Sequence, residues 1–328
     1  MSGFLRLIRA YNLLFVAIIQ VVIYQVVLVP VLQKYGFQIP DDTLLLVLLV
    51  VATVCVAAGG YVLNDYFDVK IDAINRPDKQ IVGRSFTRQA AMLMHQIFTA
   101  VGILLGLLLA WKLKSFSVAM IYIVVPGMLW FYSATYKRQF MIGNLMVAFM
   151  SALVILLVVI VKLAVLELEY GTLIFETPIP KEFYAWGGGF ALFSFLTTWI
   201  REIVKDMEDE AGDREMECRT MPIVWGVKRS KIFVYSLIAL TISLLVIIER
   251  FYISFEGNLT LKYILLMLVA PLVVAVWLVY KAQKPAAYHQ VSVLLKVIML
   301  SGVIYSFVFY FLMAKTYGFS LFDLFVIK

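Results

Sequence analysis

Nine apolar runs of membrane-spanning length constrain this chain more than any other feature of its sequence. They fall at residues 11–32, 43–63, 90–110, 116–131, 142–166, 183–200, 232–249, 262–280 and 291–313. A hydrocarbon core of roughly 30 Å is crossed by about 20 residues of helix, and in lipid every backbone polar group has to find its partner within the protein. Of the 328 residues, 63% are hydrophobic and only 15% charged, so the runs and their short connections use up the whole length. The sequence therefore predicts an all-α integral membrane protein, a bundle of nine transmembrane helices forming one domain over residues 1–328, with no room for a sizeable soluble domain. Arg6 and Arg9 precede a first run long enough to span, without the short core and small-residue cleavage site of a signal peptide, so this segment is expected to be kept as a helix. Two cysteines, Cys55 in an apolar run and Cys218 in a charged loop, exclude a disulfide framework and a zinc set.

The net charge of +7 would hint at nucleic acid in a soluble protein. Here 18 of the 28 Lys and Arg lie at the N-terminus and in the alternate connections 64–89, 132–141, 201–231 and 281–290, with nine on the opposite side and Lys296 inside the last run. The positive-inside rule then puts the N-terminus in the cytoplasm, and topology accounts for the charge without a nucleic-acid partner. Topology does not explain the acids, because 12 of the 21 Asp and Glu fall in just two of those loops, 64–89 and 201–231.

Those two loops carry the same pattern. Asp65, Asp68 and Asp72 follow the second run, Asp206, Asp209 and Asp213 follow the sixth, and each pair is separated by the same 141 positions. On a helix of about 100° per residue, offsets of 0, 3 and 7 lie on one face, so each triplet is expected to form one carboxylate stripe. Three like charges on one face repel unless a cation lies between them. Hard oxygen ligands at a cytoplasmic face suit Mg²⁺, which takes one or two carboxylates, waters and a substrate phosphate. Two stripes facing each other across a central cavity make a clamp for a diphosphate, with the apolar bundle behind it able to hold a hydrocarbon tail.

Asn64-Asp65-x2-Asp68-x3-Asp72 resembles the first aspartate motif of the UbiA superfamily of membrane prenyltransferases, and Asp206-x2-Asp209-x3-Asp213 resembles the second. Order, separation and helix context match over nearly the whole chain. The resemblance implies a bundle of nine helices around a central cavity and a Mg²⁺-dependent multi-pass enzyme of the cell membrane with its site at the cytoplasmic face. Such an enzyme ionises a prenyl diphosphate and attaches the allylic group to a lipophilic acceptor. It implies that the six aspartates are catalytic and hold the metal, two Mg²⁺ ions bridging them to the diphosphate, and that Asn64 belongs to the same diphosphate site. Position 205, the repeat partner of Asn64, is Lys205.

Other residues admit two readings each. Tyr132, Tyr136 and Lys137, closing the fourth run, resemble the family's tyrosine and lysine element, although four residues separate Tyr132 from Lys137; an aromatic belt followed by positive-inside charge is the plain alternative. Arg76 and Lys79, with Arg84 and Arg88 beyond, suit either a basic lid or simple orientation. Arg201 and Lys205 share one helix with the second stripe and are candidate phosphate ligands. Arg9 and Asn12 resemble a polar pair of the family, against a cytoplasmic anchor. Lys296 suggests a structural ion pair within a span, with a site role second. His95 and His289 are expected at the interface, Gly187-Gly188-Gly189 at a close helix contact, and Pro126 and Pro271 at kinks.

Among UbiA-like enzymes, the Arg201-Glu202-Ile203-x-Lys205-Asp206 run looks most like the geranylgeranylglyceryl phosphate geranylgeranyltransferases of ether-lipid synthesis. Aromatic prenyltransferases of quinone synthesis, acting on 4-hydroxybenzoate or dihydroxynaphthoate, share the motifs and remain the alternative. A divalent-cation transporter is the alternative of another class, and it predicts acids deeper in the spans than Glu249 alone provides. Reporters fused after residues 75 and 215 are expected on the cytoplasmic side and one after Gly257 outside; the two acidic loops reporting from opposite sides would sink a shared site.

Overall fold

The computed structural model describes residues 3–75, 80–253, 255–321 and 325–326. Long helices dominate them: α1 (Ala10–Lys34), α2 (Thr43–Phe67), α3 (Arg88–Lys112), α4 (Phe116–Ala134), α5 (Ile142–Tyr170), α6 (Ile179–Glu208), α7 (Val227–Tyr252), α8 (Leu259–Lys281) and α9 (Pro285–Tyr317). Eight of these are long and apolar enough to cross a membrane. The exception is α6, where the expected run 183–200 is a helix but Lys181 and Glu182 at one end and Arg201, Glu202, Lys205 and Asp206 at the other dilute its hydropathy. The expectation of nine spans thus stands at eight by length and composition among the described residues.

Side-chain chemistry sets the boundaries where solvent-side donors need partners. Thr87 caps α3 by accepting from the Ala90 backbone N–H, and Ser115 does the same for Val118 at the start of α4. Proline leaves a different mark. Both α1 and α8 widen into π-helix, at Ile23–Leu28 and Ile264–Val269, immediately before Val29-Pro30 and Ala270-Pro271. A proline ring collides with the carbonyl four residues back, and a wider turn relieves that collision. By contrast, α4 continues as α-helix through the buried Pro126.

Two apolar clusters hold the bundle together. The larger gathers side chains of α1 to α5 and the first half of α6 with the second half of α9; the smaller joins the second half of α6 to α7, α8 and the first half of α9. Helices α6 and α9 belong to both, so α6 delivers its acidic end between two packed walls. Its approach to α5 depends on Gly187, where an added Cβ would lie 2.3 Å from Val159. The expected glycine contact is therefore real at Gly187, while Gly188 and Gly189 face open space.

At the opposite end of α2 from its aspartates, Asp42 accepts hydrogen bonds from Lys162 Nζ at 2.5 Å and from the Tyr24 hydroxyl, with all three residues buried. Lys162, one of the nine cations assigned to the outer side, is thus wholly inside α5. Removing one partner of such a pair strands the other charge without water. His95 also departs from expectation: it is buried, not interfacial, and donates to the Gly59 carbonyl at 3.0 Å. His289 remains exposed, 3.1 Å from Glu208. Replacing Gly187 with Val is expected to lower stability by about 1–3 kcal/mol through overpacking against Val159. A thermal unfolding midpoint in detergent unchanged from wild type would refute the close-contact assignment.

Candidate active site

The two aspartate triplets are not continuous helical stripes. Helix α2 ends at Phe67, Asp68 sits at the junction, and Asp72 rides on a new short helix, Val69–Asn75. Helix α6 ends at Glu208, Asp209 sits at the junction, and Asp213 rides on Glu210–Glu215. The backbone repeats in detail: Asp68 has φ −87° and ψ 1°, Asp209 φ −95° and ψ 7°. In the first half the Asp68 N–H bonds the Asn64 carbonyl at 3.0 Å and the Asp72 N–H bonds the Asp68 carbonyl at 2.8 Å; in the second, Asp209 bonds Lys205 at 2.9 Å and Asp213 bonds Asp209 at 3.2 Å. The two short helices pack on each other. The internal repeat in the sequence is therefore a repeated helix break.

All six aspartates line one cavity of about 640 Å³, together with Asn64, Tyr132, Lys137, Arg201 and Lys205. Tyr136 is not among its lining residues; its ring packs 6.3 Å from Phe131. The four-residue gap between Tyr132 and Lys137 is explained by the end of α4 at Ala134, after which a tight turn, Tyr136–Arg138, swings Lys137 back onto Asp68. That turn lies so close to α5 that a Cβ on Gly143 would stand 2.7 Å from the Lys137 backbone. Arg76 and Lys79 lie outside the described residues. Arg88 stacks over Tyr66, 4.7 Å from its centroid, and Arg84 is exposed.

Several cavity residues were left open or missed by the sequence. Arg9, in a left-handed conformation (φ 51°) at the start of α1, reaches Asp65 at 2.7 Å and lies 5.0 Å above the Tyr61 ring. A non-glycine residue held there is strained backbone of the kind that gathers at functional sites. Lys296 lines the cavity as well. Asn144, buried near the start of α5, donates to Asp206 Oδ2 at 2.8 Å, just as Asn64 donates to Asp68 Oδ2 at 2.7 Å. The amide that the repeat lacks at Lys205 is thus supplied in space by another helix. Its only sequence signal is a polar residue in an apolar run, six positions after Arg138.

Charge in the cavity is strongly coupled. Burial, followed by the neighbouring Asp209, pushes Asp213 up to about 6. Burial draws Lys137 below its ordinary value against the pull of Asp68. Nε of Arg138 and Nε of Arg201 are buried without hydrogen-bond partners among the described residues, which is uncommon for buried polar atoms.

Residues 27–298 match the UbiA prenyltransferase family, which covers well over half of the chain. The chain belongs to this family. It is 30% identical over 263 residues to the digeranylgeranylglyceryl phosphate synthase of Thermococcus kodakarensis, covering 80% of this chain and 83% of that one. Among solved structures it resembles one concerned with digeranylgeranylglyceryl phosphate synthase in membranes (TM-score 0.58, 23% identity, 93% of this chain and 98% of that chain). It also resembles a UbiA homologue from Archaeoglobus fulgidus bound to GPP and Mg²⁺ (TM-score 0.54, 15% identity, 94% of this chain and 100% of that chain). The chain is thus a multi-pass, all-α membrane prenyltransferase.

The donor set decides whether a divalent cation suits this UbiA site. Among the described residues, no three acidic, histidine or cysteine side chains converge tightly enough to enclose an ion. Mg²⁺ ordinarily keeps waters and takes one or two carboxylates with substrate phosphates, so the spread aspartates fit ions completed by a diphosphate and not a protein-only cage. Asn144→Ala is expected to weaken Mg²⁺-dependent prenyl diphosphate binding about 10–100-fold, the usual cost of losing a ligand-orienting hydrogen bond. Equilibrium dialysis with labelled diphosphate across a Mg²⁺ titration measures it, and an unshifted titration would remove Asn144 from the site.

Proposed function

We propose that this chain transfers a geranylgeranyl group from geranylgeranyl diphosphate to the glycerol hydroxyl of geranylgeranylglyceryl phosphate, forming an ether lipid. The whole chain acts as one catalytic domain, with its N-terminus and its site at the cytoplasmic face. The observation that carries this proposal is the pairing of two aspartate half-sites with Arg6, Arg9, Lys137, Arg138, Arg201, Lys205 and Lys296 around one cavity. A single diphosphate needs fewer cations, whereas a reaction with a phosphorylated acceptor holds two phosphate groups, one leaving and one staying. The names of the curated relatives support the same substrate pair.

In this proposal Asp65, Asp68 and Asp72 on one side and Asp206, Asp209 and Asp213 on the other hold two Mg²⁺ ions. Bound there, the metal neutralises charge developing on the departing diphosphate. Arg201 and Lys205 hold phosphate oxygens, Arg201 in a fixed fork and Lys205 as a point charge. Asn64 and Asn144 fix the carboxylates they donate to. Tyr132 offers an electron-rich ring near the allylic centre, and the apolar bundle houses the tail and keeps out water that would quench a carbocation.

A competition assay tests the acceptor. Labelled geranylgeranyl diphosphate is offered to the purified protein in Mg²⁺ with geranylgeranylglyceryl phosphate, 4-hydroxybenzoate and dihydroxynaphthoate together. Label is expected in the glycerol ether; label on an aromatic ring would overturn the ether-lipid proposal and leave the prenyltransferase intact.

A further inference from the structure

Alkylation of a hydroxyl releases a proton, and the six aspartates are assigned to the metal. Among the described residues lining the cavity there is one further carboxylate, Glu202. It is 9% exposed, and its Oε1 accepts a hydrogen bond from Arg201 Nη1 at 2.5 Å. The second oxygen of the same carboxylate leaves acceptor capacity for a hydroxyl.

Its height in the bundle is informative. Glu202 precedes Asp206 by four residues on α6, so the two share a helix face and Glu202 lies one turn, about 6 Å, further from the helix break and closer to the apolar interior. A prenyl diphosphate with its phosphates at the aspartates and its tail in the bundle places its first carbon between those levels. The repeat separation of 141 positions pairs Glu202 with Tyr61, one turn below Asp65 on α2. Tyr61 feels the charge of Glu202, and so does Tyr132. One turn beneath the two half-sites, then, one half presents an aromatic ring and the other a carboxylate. Burial opposes charge on Glu202, and Lys205, Arg201, Arg9 and Lys296 act electrostatically against that cost.

We infer that Glu202 is the proton acceptor of the transfer, hydrogen-bonded to the acceptor's nucleophilic hydroxyl beside the allylic carbon. The carbon–oxygen bond of the prenyl diphosphate breaks with its electron pair leaving on the diphosphate. A lone pair of the glycerol oxygen forms the new bond to that carbon, and the oxygen's proton passes to the Glu202 carboxylate, from which it returns to solvent at the cavity mouth. Oxygen attack on an allylic cation gives a strongly acidic oxonium, so a carboxylate held ionised by four cations is base enough. This inference rests on the proposed hydroxyl acceptor.

The test compares wild type, Glu202→Gln and Glu202→Asp in Mg²⁺ with labelled geranylgeranyl diphosphate. Each is given geranylgeranylglyceryl phosphate or azide, a nucleophile with no proton to lose. Glu202→Gln is expected to lower turnover to the glycerol ether about 10²–10⁴-fold, the ordinary contribution of a general base. On that basis its formation of prenyl azide should fall much less than its formation of the ether, and Glu202→Asp should keep part of the ether activity. Equal loss of ether and azide products, or full ether activity in Glu202→Gln, overturns the inference; so does a Glu202→Gln protein that cannot be recovered folded while Glu202→Asp transfers to both nucleophiles in the wild-type ratio. Wild type failing to label the glycerol lipid would instead refute the acceptor assignment.

Discussion

Six carboxylates gathered into one cavity repel one another, and much of the surrounding architecture answers that repulsion. Each half-site breaks its helix at the central aspartate, so that three acids separate over two helical segments instead of stacking on one face. Four cations meet them: Arg9 on Asp65, Lys137 on Asp68, and Arg201 and Lys205 from the turn preceding Asp206. Amides on α2 and α5 fix one oxygen each of Asp68 and Asp206. What remains uncompensated shows in Asp213, whose proton is held up to about 6 by burial and by Asp209.

The halves solve this common problem with different parts. Asn64 donates from within its own helix turn, while the second half has Lys205 at that position and takes its amide from Asn144 across a helix contact that Gly187 helps to close. A duplicated backbone has therefore been fitted with unlike side chains. A prenyl diphosphate, anionic at one end and apolar at the other, is itself unsymmetrical, and unlike halves suit it.

The membrane class and the acidic centre were legible because both are periodic: apolar runs of a fixed length, and one spacing repeated after 141 positions. The periodicity failed where the backbone departed from it. Offsets of 0, 3 and 7 assume an unbroken helix, and nothing in Asp65 to Asp72 announces the break at Asp68. Asn144 was not legible for a different reason, since its partner Asp206 lies 62 residues away and a lone polar residue in an apolar run ordinarily needs no explanation. Lys162 was miscounted because charge was assigned by sequence position, whereas its neutralising partner Asp42 lies 120 residues away.

The ion pair of Lys162 and Asp42 has a meaning for the membrane as an insulator. At the end of α2 away from the aspartates, Tyr24, Asp42 and Lys162 satisfy one another and are buried, so water finds almost no polar surface on them. Two opposite charges enclosed in this way add no net charge to the interior of the bundle and need no water to solvate them.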